Sequence, residues 1–332
     1  MTLVFAIFGA AIVALLLYLV ILDRGYEVRR SLLMQMDART VFDKVRDFTS
    51  WREWSPWLMH EPETKLIFSD APDQEGGSYS WEGKRVGAGR LTHMKFDVPV
   101  RIEQQIEFIR PFKSTCKAWW EFAEYKGATR VSWCMQGKMP FYLRFMTKMT
   151  RSMIAKDYDL GLAMLRGILD ETAERPLIDF IGETELPEKS GLFIPFDGAM
   201  DEMERAMEDG FPRLLAIKEM GKSAISTAPF TAYHRVDLKK MRFACDMVLP
   251  LEERPGKSEL AYKSFPGGRF FTVTLQGSYR YLELAWYSAM SHIRLAKLKR
   301  DKRRPSYEVY ENDPRSVAHS NQVRTTLYIP IR

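Results

Sequence analysis

The carboxyl-terminal part of the chain contains a sequence repeat, and this repeat constrains the fold more than any other feature. The segment Leu192–Gly198 corresponds to Phe271–Gly277, and an amphipathic helical pattern follows each of them. Each half then ends in an apolar strand around a proline, Pro250 or Pro330, so that corresponding positions lie about eighty residues apart. A strand–helix–strands unit that occurs twice predicts a pseudo-twofold domain, whose natural ligand site is the cleft between the halves.

The preceding residues, 27–174, have the pattern of an α+β domain. Ala38–Phe48 has helical spacing and follows Asp37, a good N-cap residue. Apolar residues alternate along Val131–Met135, which is typical of a strand, and Thr147–Glu171 carries the apolar stripe of a long helix. This order of elements predicts a helix-grip fold, in which a curved antiparallel sheet wraps round a helix and encloses a cavity.

Several motifs of this first domain point to a known family. They are the segments Trp51–Trp57, Gly77–Gly83, Val86–Arg90, Gly127–Trp133 and Asp159–Leu162. With these motifs the domain resembles the START-like (SRPBCC, polyketide cyclase/dehydrase-type) family, which implies a hydrophobic ligand-binding fold but no particular reaction. The candidates for lining its cavity are Trp54, Trp57, Trp81 and Trp133. The alternative is that these rings form ordinary core, because aromatic side chains dominate burial in any domain.

The last domain, residues 178–332, follows a proline-containing hinge at Arg175–Glu188 and carries a second set of motifs. They are the segments Phe265–Gly268, Gly277–Tyr279, Pro305–Pro314 and Leu327–Ile331. With these motifs the domain resembles the GyrI-like (AraC-type effector-binding) small-molecule-binding family. The resemblance implies that it senses small, often cationic, aromatic compounds. Some members are the effector halves of transcription regulators, some stand alone, and a subset hydrolyses reactive natural products.

Glu308 is the strongest single candidate for a ligand-binding residue. It lies between tyrosines in the segment Tyr307–Tyr310, at the position of the family's strand glutamate. A carboxylate at the floor of an aromatic cleft loses hydration, and a cationic ligand can offset that cost. We expect Tyr310, Tyr281 and Trp286 to supply the aromatic faces. The alternative is that Glu308 points outward from its strand and contacts only water.

The sequence favours binding over catalysis. A buried carboxylate with a raised pKa could act as a base, but no second catalytic carboxylate is identified, and Glu283 is only a possibility. We therefore assign no catalytic residue and expect a sensor or sequestering module for hydrophobic or cationic aromatic compounds. The alternative is an enzyme, either a hydrolase in the GyrI-like domain or a cyclase-like enzyme in the START-like domain.

The amino-terminal segment predicts a membrane anchor. Residues 3–22 contain no charged side chain, and a helix of this length spans about 30 Å, the thickness of a bilayer core. A cleaved signal peptide is the alternative, but no basic residue precedes the segment and no small-residue cleavage site follows it. Arg24, Arg29 and Arg30 lie directly after it, which favours a single-pass protein of the cell membrane with cytoplasmic soluble domains.

Charge and metal-ligand patterns exclude other classes of partner. The net charge of +6 comes from one run, Arg294–Arg304, so we expect no nucleic-acid partner. That run is interpreted as a solvated helix end, with contact to anionic lipid as the alternative. The 3 cysteines and 5 histidines are scattered without metal-ligand spacing, so neither a disulfide scaffold nor a metal is expected. No cofactor is predicted.

Overall fold

The computed structural model describes residues 5, 7, 8, 14, 17–220, 227–237, 240–254 and 258–332, with the side chains of 217–220 left out. The chain divides into two compact units, the first ending at Ala173 and the second running from Glu174 to Arg332. Both units are rich in antiparallel strands and carry helices.

Most of the segment expected to cross the membrane, 3–22, lies outside the described residues. Its last part is described, and residues 17–21 are helical. Among the residues that the structure covers, no helix is both long enough and apolar enough to span a bilayer.

After residue 22, the first unit forms one antiparallel sheet with two α-helices. Its elements are β1 (Gly25–Met34), α1 (Ala38–Arg46), β2 (Lys65–Phe68), β3 (Ser78–Glu82), β4 (Ala88–Asp97), β5 (Arg101–Arg110), β6 (Ser114–Tyr125), β7 (Ala128–Lys138) and α2 (Thr147–Leu169). The strands are ordered β1-β7-β6-β5-β4-β3-β2. The predicted cap is confirmed, because the Asp37 side chain accepts a hydrogen bond from the Thr40 amide at 2.9 Å.

The described residues of the second unit form an eight-stranded sheet with two α-helices. Its elements are β8 (Leu177–Leu186), β9 (Lys189–Ala199), α3 (Met200–Met220), β10 (Phe230–Asp237), β11 (Arg242–Pro250), β12 (Ala261–Phe265), β13 (Gly268–Gln276), α4 (Leu282–Leu295), β14 (Ser306–Tyr310) and β15 (Arg324–Pro330). The order β12-β9-β11-β10-β14-β15-β13-β8 has corresponding strands of the two repeats on opposite sides of the central β10–β14 pair. This is the arrangement that a pseudo-twofold repeat produces.

The two halves exchange their outer strands. β8 pairs with β13 while β12 pairs with β9, so the connections β8–β9 and β12–β13 pass over each other. At this crossing a Cβ atom on Gly267 would lie 2.4 Å from the Leu186 carbonyl oxygen and 2.6 Å from the Glu188 nitrogen. Only glycine allows the two backbones to approach so closely.

The two faces of the second sheet have different coverings. The helices lie on one face, where Leu214 of α3 packs with Met247 and Leu249 of β11. The other face carries an aromatic core that includes Phe230 and Tyr307. Since side chains alternate along a strand, Glu308 projects to the helical face while its neighbour Tyr307 projects to the other.

Candidate functional site

The centre of the candidate site is fixed by the pairing of β10 with β14. Thr231 lies directly opposite Glu308 in the antiparallel ladder, and paired residues of this kind project to the same face. On β10, Tyr233 follows on that face after one alternation. On α4, Trp286 reaches the same place from above the sheet, because its indole contacts the Glu308 carboxylate.

The Glu308 carboxylate is buried and accepts hydrogen bonds from three aromatic side chains. Its residue is 3% exposed. Trp286 Nε1 donates to Oε2 at 2.6 Å, the Tyr310 hydroxyl donates to Oε1 at 2.7 Å, and the Tyr233 hydroxyl donates as well. Burial raises the pKa of Glu308, while these donors act in the opposite direction and favour the charged form. Among the described residues, the donors to this carboxylate are neutral phenol and indole groups.

The hydroxyls around Glu308 form a connected chain. Tyr310 OH lies 2.9 Å from Thr231 Oγ1, so a single tyrosine links the carboxylate to the opposite strand. The pKa values of Tyr233 and Tyr310 are raised well above the usual value, first by burial and then by the charge of Glu308. These phenols therefore stay protonated and act as donors to the carboxylate at neutral pH.

Aromatic rings above the carboxylate are only partly buried. Trp286, Tyr233 and Tyr310 are half-buried, and Tyr279 is 36% exposed. Ring centroids lie 5.6 Å apart for Tyr279 and Tyr310, and 5.8 Å apart for Tyr233 and Trp286. Phe211 of α3 approaches Tyr310 edge-on at 5.2 Å. A buried carboxyl group thus lies beneath aromatic residues that are partly exposed, a combination suited to a cation with apolar substituents.

The structure brings together three of the four residues proposed for ligand binding: Glu308, Tyr310 and Trp286. Tyr281 is placed differently, because its hydroxyl donates to the main-chain carbonyl of Glu174 at 3.0 Å and its ring is buried. Its role as a ligand contact stays a prediction.

Sequence reasoning missed four residues of this site: Thr231, Tyr233, Tyr279 and Phe211. Tyr279 belongs to the motif Gly277–Tyr279, so the sequence did carry a signal for it. Tyr233 and Thr231 share the two-residue spacing of Glu308 and Tyr310. Their proximity to Glu308 depends on the register of β10 against β14, which spacing alone does not give.

The tryptophans of the first unit pack mainly against each other. Trp54 and Trp133 are core residues, and Trp133 stacks on Tyr158 at 4.0 Å and on Trp120 at 4.3 Å. Trp57 is partly buried, and its indole donates to Asp157 at 3.1 Å.

Trp81 is also partly buried, and its indole donates to the Val86 carbonyl at 3.4 Å. Packing within the unit therefore accounts for all four tryptophans without a ligand, and their role as cavity lining stays a prediction.

One buried histidine of the first unit has its ring nitrogens in contact with polar groups. His93 Nε2 lies 2.9 Å from the Arg46 carbonyl oxygen, and Nδ1 lies 3.4 Å from Gln104 Nε2. Its ring stacks on Phe48 at 3.8 Å, and burial lowers the pKa of His93 to about 4. His93 is therefore neutral at physiological pH.

The structure also places the possible second carboxylate, Glu283, and the metal-ligating side-chain types. Within the described ranges, no cluster of histidine, cysteine or acidic side chains could hold a metal ion. Glu283, the possible second carboxylate, is exposed on α4. The other face of the sheet carries a cavity of about 10 Å³ beside Lys189 and Phe230, which has room for about one water molecule.

Part of the basic run has a structural role. The Arg304 guanidinium donates to the carbonyl oxygens of Gly267, Arg269 and Ile331 at 2.8–2.9 Å and pairs with Asp301. It thereby ties the segment after α4 to the strand crossing. Lys302 and Arg303 are exposed.

Comparison with known proteins assigns each unit to a family. Residues 182–332 match the family described as a GyrI-like small molecule binding domain. Residues 26–169 match the family described as polyketide cyclase / dehydrase and lipid transport. No curated protein matched the sequence.

Solved structures show only distant similarity. EcmrR in a DNA complex is 13% identical with a TM-score of 0.40, over 58% of this chain and 70% of EcmrR. SAV2435 bound to tetraphenylphosphonium is 9% identical with a TM-score of 0.36, over 45% of this chain and 92% of SAV2435. CalU16 from Micromonospora echinospora is 10% identical with a TM-score of 0.32, over 44% of this chain and 85% of CalU16.

Proposed function

Because the chain joins a domain of the polyketide cyclase / dehydrase and lipid transport family to a GyrI-like small molecule binding domain, we propose that it binds aromatic cations through Glu308. The observation that carries the proposal is the burial of the Glu308 carboxylate beneath partly exposed aromatic rings. Trp286, Tyr310, Tyr233 and Tyr279 supply the faces for the ligand.

The electrostatics of the site favour a positive ligand. Three neutral donors stabilise the ionised carboxylate, but burial still raises its pKa, so the charge remains incompletely compensated. A cation that enters between the rings replaces lost hydration with a direct charge interaction, and each ring face adds about 0.5–2 kcal/mol of cation–π attraction. A neutral compound of the same shape gains neither the charge interaction with Glu308 nor the cation–π attraction of the rings.

Binding without turnover is the function that this geometry supports best. Glu308 engages phenol and indole donors, and none of these is activated as a nucleophile, since the pKa values of Tyr233 and Tyr310 are raised. A sensor or sequestering role therefore fits the site. Hydrolysis of a bound compound is the alternative outcome of the experiment below.

For the amino-terminal segment we propose a single-pass anchor over residues 3–22, with both units on the cytoplasmic side. The uncharged length of the segment and the basic residues that follow it support this topology. Alkaline phosphatase fused after Arg332 is active only when exported, so an inactive fusion is expected. An active fusion would reverse the orientation.

The binding proposal is tested with a matched pair of ligands. Tetraphenylphosphonium is an aromatic cation, and triphenylphosphine oxide is a neutral compound with similar rings. Isothermal titration of the full chain should show saturable binding of the cation and much weaker binding of the neutral compound.

Glu308→Gln is the decisive variant. The amide keeps an acceptor for the Trp286 indole but removes the charge, so cation affinity should fall about 100-fold, within the range for breaking a buried charge pair. Thermal unfolding checks that the variant is folded. Undiminished binding by a folded Glu308→Gln protein would remove this site, and consumption of the ligand detected by mass spectrometry would replace the sensor by an enzyme.

A further inference from the structure

A short segment of the first unit exposes large apolar side chains to solvent. It comprises the 3₁₀ turn Phe141–Met146 and the start of α2. The exposed fractions are 38% for Phe141, 62% for Tyr142, 59% for Phe145 and 46% for Met149. Tyr142 and Phe145 are three residues apart, the spacing that places side chains on one side of a 3₁₀ turn, and Met149 follows in the first turn of α2. These four residues are called the 141–149 patch.

The patch lies against the end of the proposed membrane anchor. Arg144 Nη1 donates to the Leu19 carbonyl oxygen at 3.2 Å, and Thr147 Oγ1 lies 3.2 Å from the Asp23 carbonyl oxygen. The Met139 amide also donates to the Arg24 carbonyl oxygen at 2.9 Å. These contacts hold the patch at the point where residues 3–22 join the folded unit, so a bilayer around that segment would be adjacent to the patch.

The charge along the segment that carries the patch has a single sign, and Asp23 is an acidic residue beside it. From Lys138 to Lys156 the charged side chains are all basic, and an acidic residue first occurs at Asp157. Lys138, Lys148 and Arg151 are exposed. Apolar and aromatic side chains bordered by lysine and arginine are the composition of segments that lie in the interface of anionic membranes.

We propose that the 141–149 patch is a second membrane contact, which inserts into the headgroup region of the bilayer that holds residues 3–22. The inference rests on the anchor proposed above. Tyr142, Phe145 and Met149 enter the boundary between headgroups and acyl chains, and Lys148 and Arg151 bind anionic headgroups. The START-like unit then contacts the bilayer through its own surface as well as through residues 3–22.

Fluorescence depth quenching tests this contact on the full chain. The natural cysteines Cys116, Cys134 and Cys245 are buried, so a cysteine introduced on the surface is labelled selectively. Tyr142→Cys carries the label at the patch. The matched control is Tyr125→Cys, which replaces another exposed tyrosine, in the β6–β7 turn at the end of β7 remote from Lys138.

Labelled proteins are reconstituted into phosphatidylcholine vesicles with and without phosphatidylglycerol, and the vesicles contain nitroxide lipids. We expect shallow nitroxides to quench the label at 142 but not the label at 125. Flotation of the vesicles reports the anchor separately. Flotation with equal quenching at both positions, or with none, overturns the membrane contact and leaves the anchor standing. Loss of flotation overturns both.

Charge reversal provides a second variant with an intact patch. Each basic residue near an anionic surface contributes roughly fivefold to the binding equilibrium. Lys148→Glu with Arg151→Glu should therefore reduce quenching at 142 in vesicles that contain phosphatidylglycerol and have little effect in neutral vesicles. Unchanged quenching in both lipid mixtures contradicts the role of these cations. The outcome expected if the patch instead binds a protein is an unquenched label at 142 with normal flotation.

Discussion

Each unit of the molecule buries a titratable group among aromatic rings, but the two groups have different surroundings. In the first unit, His93 stacks on Phe48, and both residues are fully buried. In the second unit, Glu308 is equally buried, but the aromatic residues that hold it are half-buried or exposed. The neighbours of Glu308 are therefore partly exposed to solvent, whereas Phe48, on which His93 stacks, is not.

This difference teaches that a buried polar group does not by itself indicate a binding site. His93 loses its charge on burial, and its nitrogens contact a main-chain carbonyl and a side-chain amide, so nothing remains for a ligand to improve. The donors to Glu308 in the described part of the chain are neutral, so a positive ligand would improve its environment. The exposure of the neighbouring rings then decides whether a ligand can reach the group.

The largest expected effect is on the free energy of unfolding, and it should distinguish aromatic residues of the core of the first unit from those at the exposed rim of the Glu308 site. Trp133→Ala removes a ring that stacks on Trp120 and Tyr158, so it should lower the free energy of unfolding of the first unit by about 3–5 kcal/mol. Tryptophan fluorescence follows that unit, because all tryptophans except Trp286 belong to it.

Tyr279→Ala is the contrasting variant, since Tyr279 is exposed at the rim. It should change unfolding little but weaken cation binding by about 0.5–2 kcal/mol. Equal destabilisation by both variants would contradict the distinction between a closed core and an open rim.

The next effect concerns acid stability. Burial lowers the pKa of His93 from 6.5 to about 4. The contribution of neutral His93 to the free energy of unfolding is therefore complete above pH 6.5 and is lost as the pH falls to 4. The loss is about 3 kcal/mol, from 1.36 kcal/mol per pKa unit. Urea unfolding at pH 7 and pH 4 should show a smaller pH dependence for His93→Gln than for the natural protein. The same pH dependence in both would show that His93 does not control acid unfolding.

The pH dependence of ligand affinity should run in a defined direction. The pKa of Glu308 is raised, so its proton competes with a cation below that pKa. Cation affinity should rise about tenfold per pH unit until the carboxyl is ionised and then level off. Binding of triphenylphosphine oxide should lack this rise. Titrations across the acidic to neutral range measure both, and a flat profile for the cation would mean that its charge does not contact Glu308.

The smallest expected effect comes from the indole donor. Trp286→Phe keeps an aromatic ring but loses the hydrogen bond that lowers the pKa of Glu308, so the proton competes more strongly and cation binding below neutral pH should weaken about fivefold. Trp57→Phe is the matched change in the first unit, because it loses the donor to Asp157 and should leave cation binding unchanged. A similar loss of affinity in both variants would indicate an indirect effect.

Much of the architecture of the second unit could be predicted because the sequence repeat determines it. Two strand–helix–strands units of similar length require corresponding places in one sheet, and the strand order has the halves on either side of the β10–β14 pair. The crossing of the outer connections could not be predicted. It depends on a backbone contact at Gly267 that leaves no periodic pattern.

The direction of Glu308 could not be derived from alternation. Both faces of β14 are covered, so Tyr307, Glu308 and Val309 are all buried, and burial gives no periodic signal. The family motif supplied the expectation instead.

Which of the two tyrosines, Tyr279 or Tyr281, lies in the Glu308 site depends on where the helix begins. Adjacent helical residues differ by about 100° around the axis, so tyrosines two positions apart point in different directions. Here a 3₁₀ turn over Tyr279–Tyr281 precedes α4 and sends the ring of Tyr279 towards Tyr310.

The most direct measurement is an experimental structure of the protein with the phosphonium cation bound. We expect the cation in contact with the Glu308 carboxylate, with the rings of Tyr279 and Tyr310 against its phenyl groups. Density for the cation elsewhere, with Glu308 still enclosed by Trp286, Tyr233 and Tyr310, would contradict the assignment of this carboxylate as the binding group.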